Sequence, residues 1–225
     1  MKVKHLLLLP FFFAACQSAS DSSSAADSAA IESENATAPS DSQATAIDTF
    51  KNIPDTKLIV PGKQIGETRI GETDKELFSV MKKPDAGDAA MGKAWSTWYS
   101  KPSPGDTDTT RHETNVFTVR RNGVDNDTAK VKLIRVTSPF FATKTRVSAN
   151  RPMDYVQKVF PGIKKVATFP DKNGEMSVFD DQAAGIAFEA QGEGKTAVCR
   201  AVIVHAPGTP LLDDFMGLHN DLKKR

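Results

Sequence analysis

Residues 64–84 read QIGETRIGETDKELFSVMKKP, and this stretch carries the clearest indication of the fold. Thr73 is a candidate helix N-cap with Glu76 three residues later, which is the capping-box pattern. Apolar residues then recur at helical spacing over 77–81, and Pro84 ends the run. The stretch therefore predicts a short capped helix after a glycine-containing start.

A second stretch, residues 142–161, repeats this pattern with the sequence ATKTRVSANRPMDYVQKVFP. Thr68-Arg69-Ile70 corresponds to Thr145-Arg146-Val147, and Pro84 corresponds to Pro161, both at an offset of 77 residues. Strand-like runs follow each predicted helix. The runs are 94–99, 115–121 and 130–136 after the first helix, and 176–181, 185–190 and 196–205 after the second.

These elements predict an α+β fold. Two tandem repeats, each a helix followed by three strands, would form a mainly antiparallel sheet with the helices on one face. We expect the first repeat over 47–139, the second over 140–210, and a C-terminal tail or short helix over 211–225. The alternative is that the similarity between the two halves arises by chance.

The first repeat resembles a known family. Residues 66–73 match the pattern G-x-[IT]-x-[IL]-G-x-T, a capped helix follows, and Lys83-Pro84-Asp85 precede an aromatic-containing hairpin. This order is similar to the repeat of beta-lactamase-inhibitor-like proteins and of the small outer-membrane assembly lipoproteins, over most of residues 60–207. The resemblance implies helices on one sheet face, an opposite face free to bind proteins, and no catalytic residues.

The start of the chain, MKVKHLLLLPFFFAAC, is typical of a bacterial lipoprotein signal. A positive start precedes about ten apolar residues, too few to span a bilayer as a helix. Ala14-Ala15 directly precede Cys16, as in a lipobox. We therefore expect a signal peptide over 1–15 and a lipidated Cys16 that anchors the protein in a membrane. The alternative is an ordinary signal peptide with a chance cysteine.

Residues 16–46 are rich in Ser, Ala and Asp and contain no aromatic residue, Lys or Arg. Such a segment cannot bury enough apolar surface to fold, so we expect a disordered tether after the lipidated cysteine. Gln17-Ser18 lack the Asp that is associated with inner-membrane retention. We therefore expect a lipid-anchored protein of the cell envelope, at the outer membrane.

Charge and motifs argue against two classes of ligand. The chain after residue 46 has only four more basic than acidic residues, which gives no indication of nucleic-acid binding. Residues 87–94, GDAAMGKA, come close to a nucleotide-binding P-loop, but Ala94 stands where a Ser or Thr would hold Mg²⁺. A predicted helix, and not a buried strand, precedes them. We therefore expect a glycine-containing turn there and no bound nucleotide.

The sequence indicates no catalytic residue, metal site or cofactor. Its scattered histidines lack metal-ligand spacing, and no Cys-x-x-Cys is present. Cys199 lies in TAVCRAVIVH, where strict alternation places it on one strand face with Ala201, opposite Arg200; we expect a buried structural cysteine. An enzyme whose polar residues, such as His112 with Glu113, meet only in the folded chain stays an open alternative.

Trp95, Trp98 and Tyr99 are the candidate partner-binding residues. They include both tryptophans and one of the two tyrosines of the chain. In a strand, Trp95 and Tyr99 share one face and Trp98 lies on the other, so we expect one face in the core and one toward a partner. A protein partner, a stacked glycan and core packing alone are the alternatives.

Together these features predict a non-enzymatic, membrane-anchored envelope lipoprotein that acts as a protein-binding module for another envelope protein. The alternative is a lipoprotein that binds a glycan or another small ligand on its aromatic residues.

Overall fold

The computed structural model describes residues 53–102, 104–105, 107–120, 128–172, 174–215, 217–219 and 221–225. The predicted signal peptide, Cys16 and the 16–46 tether lie outside these described residues. Within them, no helix combines the length and the apolar character that a membrane crossing requires.

The described chain is mostly β, with 43% strand and only 16% helix, and its strands form two sheets. The predicted α+β fold of two helix-plus-three-strand repeats, with helices on one face, is therefore wrong. All six predicted strands are present, but seven more accompany them. Most of the added strands have two or three residues or lack β-branched residues, so a search for alternating apolar residues misses them.

The strands are numbered in chain order. They are β1 (Leu58–Val60), β2 (Gln64–Ile65), β3 (Thr68–Arg69), β4 (Ala86–Ala90), β5 (Lys93–Tyr99), β6 (Glu113–Val119), β7 (Lys130–Val136), β8 (Ala142–Thr143), β9 (Lys164–Asp171), β10 (Gly174–Asp181), β11 (Ile186–Gln191), β12 (Val198–His205) and β13 (Lys223–Lys224).

The large sheet contains nine strands in the order β13-β9-β10-β11-β12-β7-β6-β5-β4. Neighbouring strands in it are antiparallel. Strands β4 to β7 form one meander and β9 to β12 another, and the two meet where β7 pairs with β12. The small sheet has the order β3-β2-β1-β8, with β1 and β8 parallel.

The described residues form three short α-helices beside the sheets: α1 (Asp74–Met81), α2 (Met153–Val159) and α3 (Leu212–Phe215). The predicted capping box of α1 is confirmed, because the Thr73 hydroxyl accepts from the Glu76 amide at 3.2 Å and the Glu76 carboxylate accepts from the Thr73 amide at 2.8 Å. The second predicted helix is confirmed as α2. The C-terminal segment, residues 211–225, contains α3 and β13.

Two hydrophobic cores lie on opposite faces of the large sheet. The first contains Leu77 of α1, Met153 of α2 and Ile59 of the small sheet. The second contains Leu211 and Phe215 of the C-terminal segment, packed on apolar residues of the sheet. The face that the family resemblance left open is thus partly covered by the chain itself.

The stretch GDAAMGKA belongs to a β-hairpin. Strands β4 and β5 are antiparallel, and Met91 and Gly92 between them have φ angles of 51° and 76°. Two successive positive φ angles are typical of the tight turns that join hairpin strands. A P-loop needs a helix directly after the glycine-rich turn, and here a seven-residue strand follows.

Candidate functional site

One cleft on the large sheet is both large and polar. It has a volume of about 900 Å³ and lies at the sheet end where β6, β10 and β12 begin. Most of its lining is charged or polar, although the neighbouring part of the same face is apolar core. We call this cleft the basin; its defining residues are Arg111, Arg135, Glu189, Gln191, Arg200 and His219.

The floor of the basin is a buried ion pair between Arg135 on β7 and Glu189 on β11. Nε and Nη2 of Arg135 each donate to one carboxylate oxygen of Glu189, at 2.6 Å in both cases. Nη1 of Arg135 donates to Oδ1 of Asn115 at 2.7 Å. Strand β12 lies between β7 and β11, and its residue opposite Glu189 is Ala201, whose side chain is small. The pair therefore joins three adjacent strands.

Mutual attraction keeps both members of the pair charged. Burial raises the pKa of the Glu189 carboxyl, but the charge and hydrogen bonds of Arg135, with a smaller contribution from His219, outweigh burial and lower that pKa to about 2. Burial lowers the pKa of Arg135, and attraction to Glu189 and then Glu113 more than reverses this, so the pKa is raised. The floor is therefore ionised but close to neutral overall.

Arg200 reaches the basin through a β-bulge. On β12, Ala201 pairs with Glu189 and Cys199 pairs with Ala190, so Arg200 has no partner on β11. The extra residue changes the alternation, and Cys199 packs in the helix-side core, whereas Ala201 lies on the basin face. The prediction that Cys199 and Ala201 share a face is therefore wrong, because strict alternation does not hold across a bulge.

Two neutral side chains hold Arg200 in place. Its Nε donates to Oε1 of Gln191 at 2.9 Å, and its Nη1 donates to Oδ1 of Asn150 at 3.3 Å. Asn150 has a φ of 64°, a left-handed conformation that Asn adopts more readily than most residues. The Arg200 guanidinium is thus oriented by amide oxygens, which do not cancel its charge.

Arg111 and His112 form the rim of the basin beside β6. The Arg111 guanidinium lies 4.2 Å from the ring centroid of Tyr99, a cation–π contact. His112 Nε2 lies 2.8 Å from Oδ2 of Asp108. The hydrogen bond to His112 is the main reason that the pKa of Asp108 is lowered to about 2, with further bonds from Thr110.

His219 of the C-terminal segment forms the opposite wall. Its ring stacks on Phe169 with centroids 3.7 Å apart, and its Nε2 lies 3.4 Å from Oε1 of Glu189. Gly217 lies against Trp95, because a Cβ on Gly217 would come within 2.7 Å of the indole Nε1. The segment therefore seals the apolar half of the sheet face and leaves the polar half open.

The predicted partner-binding residues occupy different environments. Trp95 and Trp98 lie on opposite faces of β5, and each is only 8% exposed. Trp95 packs against Phe117 with ring centroids 5.0 Å apart. Tyr99 is half-buried beneath Arg111 at the edge of the basin. The structure thus brings only Tyr99 of the three next to the basin.

The other candidate groups have partners within the protein. His112 is paired with Asp108, whereas the neighbouring Glu113 lies 3.4 Å from Arg135, so these two candidates for an assembled active site face different partners. Cys199 is buried with a free thiol, and burial raises its pKa. In the part of the chain that the structure describes, no three His, Cys, Asp or Glu residues are placed to hold a metal ion.

Most residues of the basin were missed by the sequence analysis. Arg135 and Glu189 stand at inward positions of apolar strands, and a charge at such a position is a recognisable signal of a buried pair. Their pairing is not readable, because 54 residues separate them. Arg200 was assigned to a strand face by alternation, and nothing in TAVCRAVIVH indicates the bulge.

Comparison of the chain with family models, curated proteins and solved structures finds no match. The resemblance to outer-membrane assembly lipoproteins therefore stays a prediction.

Substitutions in the ion pair should show how much the free energy of unfolding depends on the pairing of Arg135 with Glu189. We expect Glu189→Leu alone to lower the free energy of unfolding by about 3–5 kcal/mol, because it leaves the buried Arg135 without its carboxylate. The double variant Arg135→Met/Glu189→Leu should recover at least half of that loss, since it buries no unpaired charge. Urea unfolding followed by circular dichroism gives all the values. If the loss in the double variant equals the sum of the losses in Glu189→Leu and in Arg135→Met measured separately, direct pairing is contradicted.

Acid should destabilise the protein through the same pair. The pKa of Glu189 lies near 4.5 when unperturbed and at about 2 in the fold, so the folded chain favours the deprotonated form. Its contribution, about 3 kcal/mol, is complete above pH ~4.5 and is lost as the pH falls toward 2. Urea unfolding at a series of pH values should show this decline, with a shallower decline in Arg135→Met/Glu189→Leu. Asp108→Asn, which removes another carboxyl of low pKa, serves as the comparison. If the free energy of unfolding falls equally with pH in the unmodified protein, the double variant and Asp108→Asn, the assignment to Glu189 is refuted.

Proposed function

We propose that this chain is a non-enzymatic lipoprotein of the cell envelope, anchored to the outer membrane through Cys16, that binds a saccharide or a similar polar ligand in the basin. The observation that carries the proposal is the basin itself, a polar concavity of about 900 Å³. Ligand sites of small molecules have volumes of about 300–1,000 Å³ and a few oriented polar groups.

The side chains of the basin suit a ligand rich in hydroxyl groups. Amide groups of Asn150 and Gln191 and the guanidinium of Arg200 line it and are held by one another. Amides both donate and accept hydrogen bonds, as sugar hydroxyls do. The stacked rings of Phe169 and His219 add an apolar wall. The tryptophans have no part in this proposal, because both are core residues.

A protein partner is the second candidate, and an open sheet edge favours it. Strand β4 is the last strand of the large sheet, and all five of its residues are exposed. Phe78 and Met91, which line a pocket together with Ala89 and Ala90 of β4, are 40% and 83% exposed. An open edge with apolar neighbours is suited to the addition of a strand from another protein. In this case the partner is another envelope protein.

Titration of the full-length protein in detergent micelles with neutral and acidic oligosaccharides tests the ligand proposal. We expect amide NMR signals of Asn150, Gln191 and Arg200 to shift on saturable binding, because these residues line the basin. Signals of β4 should stay in place and serve as the internal control. Absence of shifts with every saccharide, or shifts confined to β4, would reject the basin as a saccharide site.

Membrane attachment is tested at Cys16. We expect Cys16→Ser to abolish incorporation of a labelled fatty acid and to move the protein from the membrane to the soluble fraction, since stable anchoring depends on the acyl chains. Cys199→Ser is the matched control, because Cys199 is buried in the core. Fatty-acid labelling that persists in Cys16→Ser would show that the anchor is elsewhere.

A further inference from the structure

We infer that the ligand of the basin is an acidic oligosaccharide, whose carboxylate groups are bound by Arg111 and Arg200. This inference rests on the proposed function and adds the charge of the ligand to it. Its basis is that both arginines face the basin and that, among the described residues, neutral groups and no carboxylate hold them there.

Arg200 has the geometry of a cation that is aimed at a ligand. The bulge in β12 takes it out of the pairing with β11, and bulges near functional sites commonly redirect a side chain in this way. Hydrogen bonds to Gln191 and Asn150 use Nε and one N–H of Nη1. Since a guanidinium carries five N–H groups in a planar fork, the remaining donors are available to a carboxylate.

Arg111 is also held by a neutral group, the ring of Tyr99, and its guanidinium likewise keeps donors for a ligand. Its guanidinium lies over the Tyr99 ring at 4.2 Å. A cation–π contact orients the arginine and leaves the edge of the guanidinium open for hydrogen bonds. This also gives Tyr99 a positioning role in the site.

No acidic residue in the described part of the chain forms an ion pair with Arg111 or Arg200. Glu189 is bound by Arg135, and Asp108 is bound by His112. Asp171 ends β9, which is separated from β12 by β10 and β11. At about 4.8 Å per strand, this places it about 14 Å across the sheet from Arg200. Arg111 and Arg200 therefore have no carboxylate partner among the described residues, and each can bind a carboxylate of a ligand.

The spacing of the two arginines favours an oligomer over a single sugar. Arg111 lies two residues before the start of β6 and Arg200 lies on β12, and these strands flank β7. The two strands are about 10 Å apart. Between them, at the end of β7, is the uncharged Thr137. A chain of acidic sugars can place one carboxylate at each arginine with its hydroxyls over the polar residues between.

The test compares trigalacturonate with its methyl ester, which keeps the sugar and removes the charge. Isothermal titration calorimetry of the full-length protein in detergent micelles should show binding of the acid and at least tenfold weaker binding of the ester, as expected for loss of charge-assisted hydrogen bonds. Affinity for the acid should fall as salt is added, because salt screens exposed charges.

Variants test the assignment to the two arginines. We expect Arg200→Gln and Arg111→Gln each to weaken binding of trigalacturonate about tenfold and binding of the ester less than twofold. Arg120→Gln is the matched control, because Arg120 lies at the other end of β6 and lines a different pocket. It should bind as the unmodified protein does. All three arginines have exposed side chains, and thermal unfolding checks that each variant folds.

Each of the other possible results overturns a defined part of the inference. Equal affinity for acid and ester overturns the inferred charge and leaves saccharide binding standing. A weaker ester with no effect of either arginine variant overturns the assignment to Arg111 and Arg200. Binding of triglutamate as tightly as trigalacturonate overturns the saccharide class, both here and in the proposed function. No binding of the acid, the ester or the peptide overturns the inference and the proposed function together.

Discussion

Two opposite charges, Arg135 and Glu189, meet beneath the surface of the large sheet, and the basin depends on their contact. Each charge taken from water costs several kcal/mol unless a partner and hydrogen bonds replace the solvent. Here two 2.6 Å hydrogen bonds join them and Asn115 satisfies a further N–H of Arg135. The contact requires a small residue on the intervening strand, and Ala201 supplies it. The ion pair thus allows a polar floor to lie beside the apolar residues against which the C-terminal segment packs.

The ion pair also accounts for the difference between the arginines of the site. Glu189 is the most buried acidic side chain of the floor, and Arg135 already takes both of its oxygens. The rim arginines are therefore left with amide and aromatic neighbours. One arginine stabilises the sheet, whereas the other two keep their charge directed at the cleft. Arginine suits both roles, because its planar group pairs with carboxylates and also stacks on rings.

The sequence allowed the main strands and the two longer helices to be predicted, because alternation and the Thr73 capping box are local signals. It did not allow the fold class to be predicted. Strand β4, with the sequence AGDAA, has no β-branched residue, and it lies in the sheet through its antiparallel pairing with β5. The aromatic cluster was recognised, but burial of Trp95 and Trp98 depends on chain segments far away in sequence. The basin was missed for the same reason, since its residues come from eight separate stretches of chain between Thr107 and His219.

The bulge at Arg200 adds a charged side chain to the cleft without disturbing the core. Side chains of a regular strand alternate between two faces, so a residue added to the pairing would move every neighbour on one side of it to the other face. Arg200 takes no place in the pairing, and Ala201 and Cys199 on either side of it lie opposite Glu189 and Ala190. Removing Arg200 would leave these pairs and the core position of Cys199 unchanged, and would take one guanidinium from the cleft. One inserted residue is therefore enough to give an apolar strand a cationic group on its polar face.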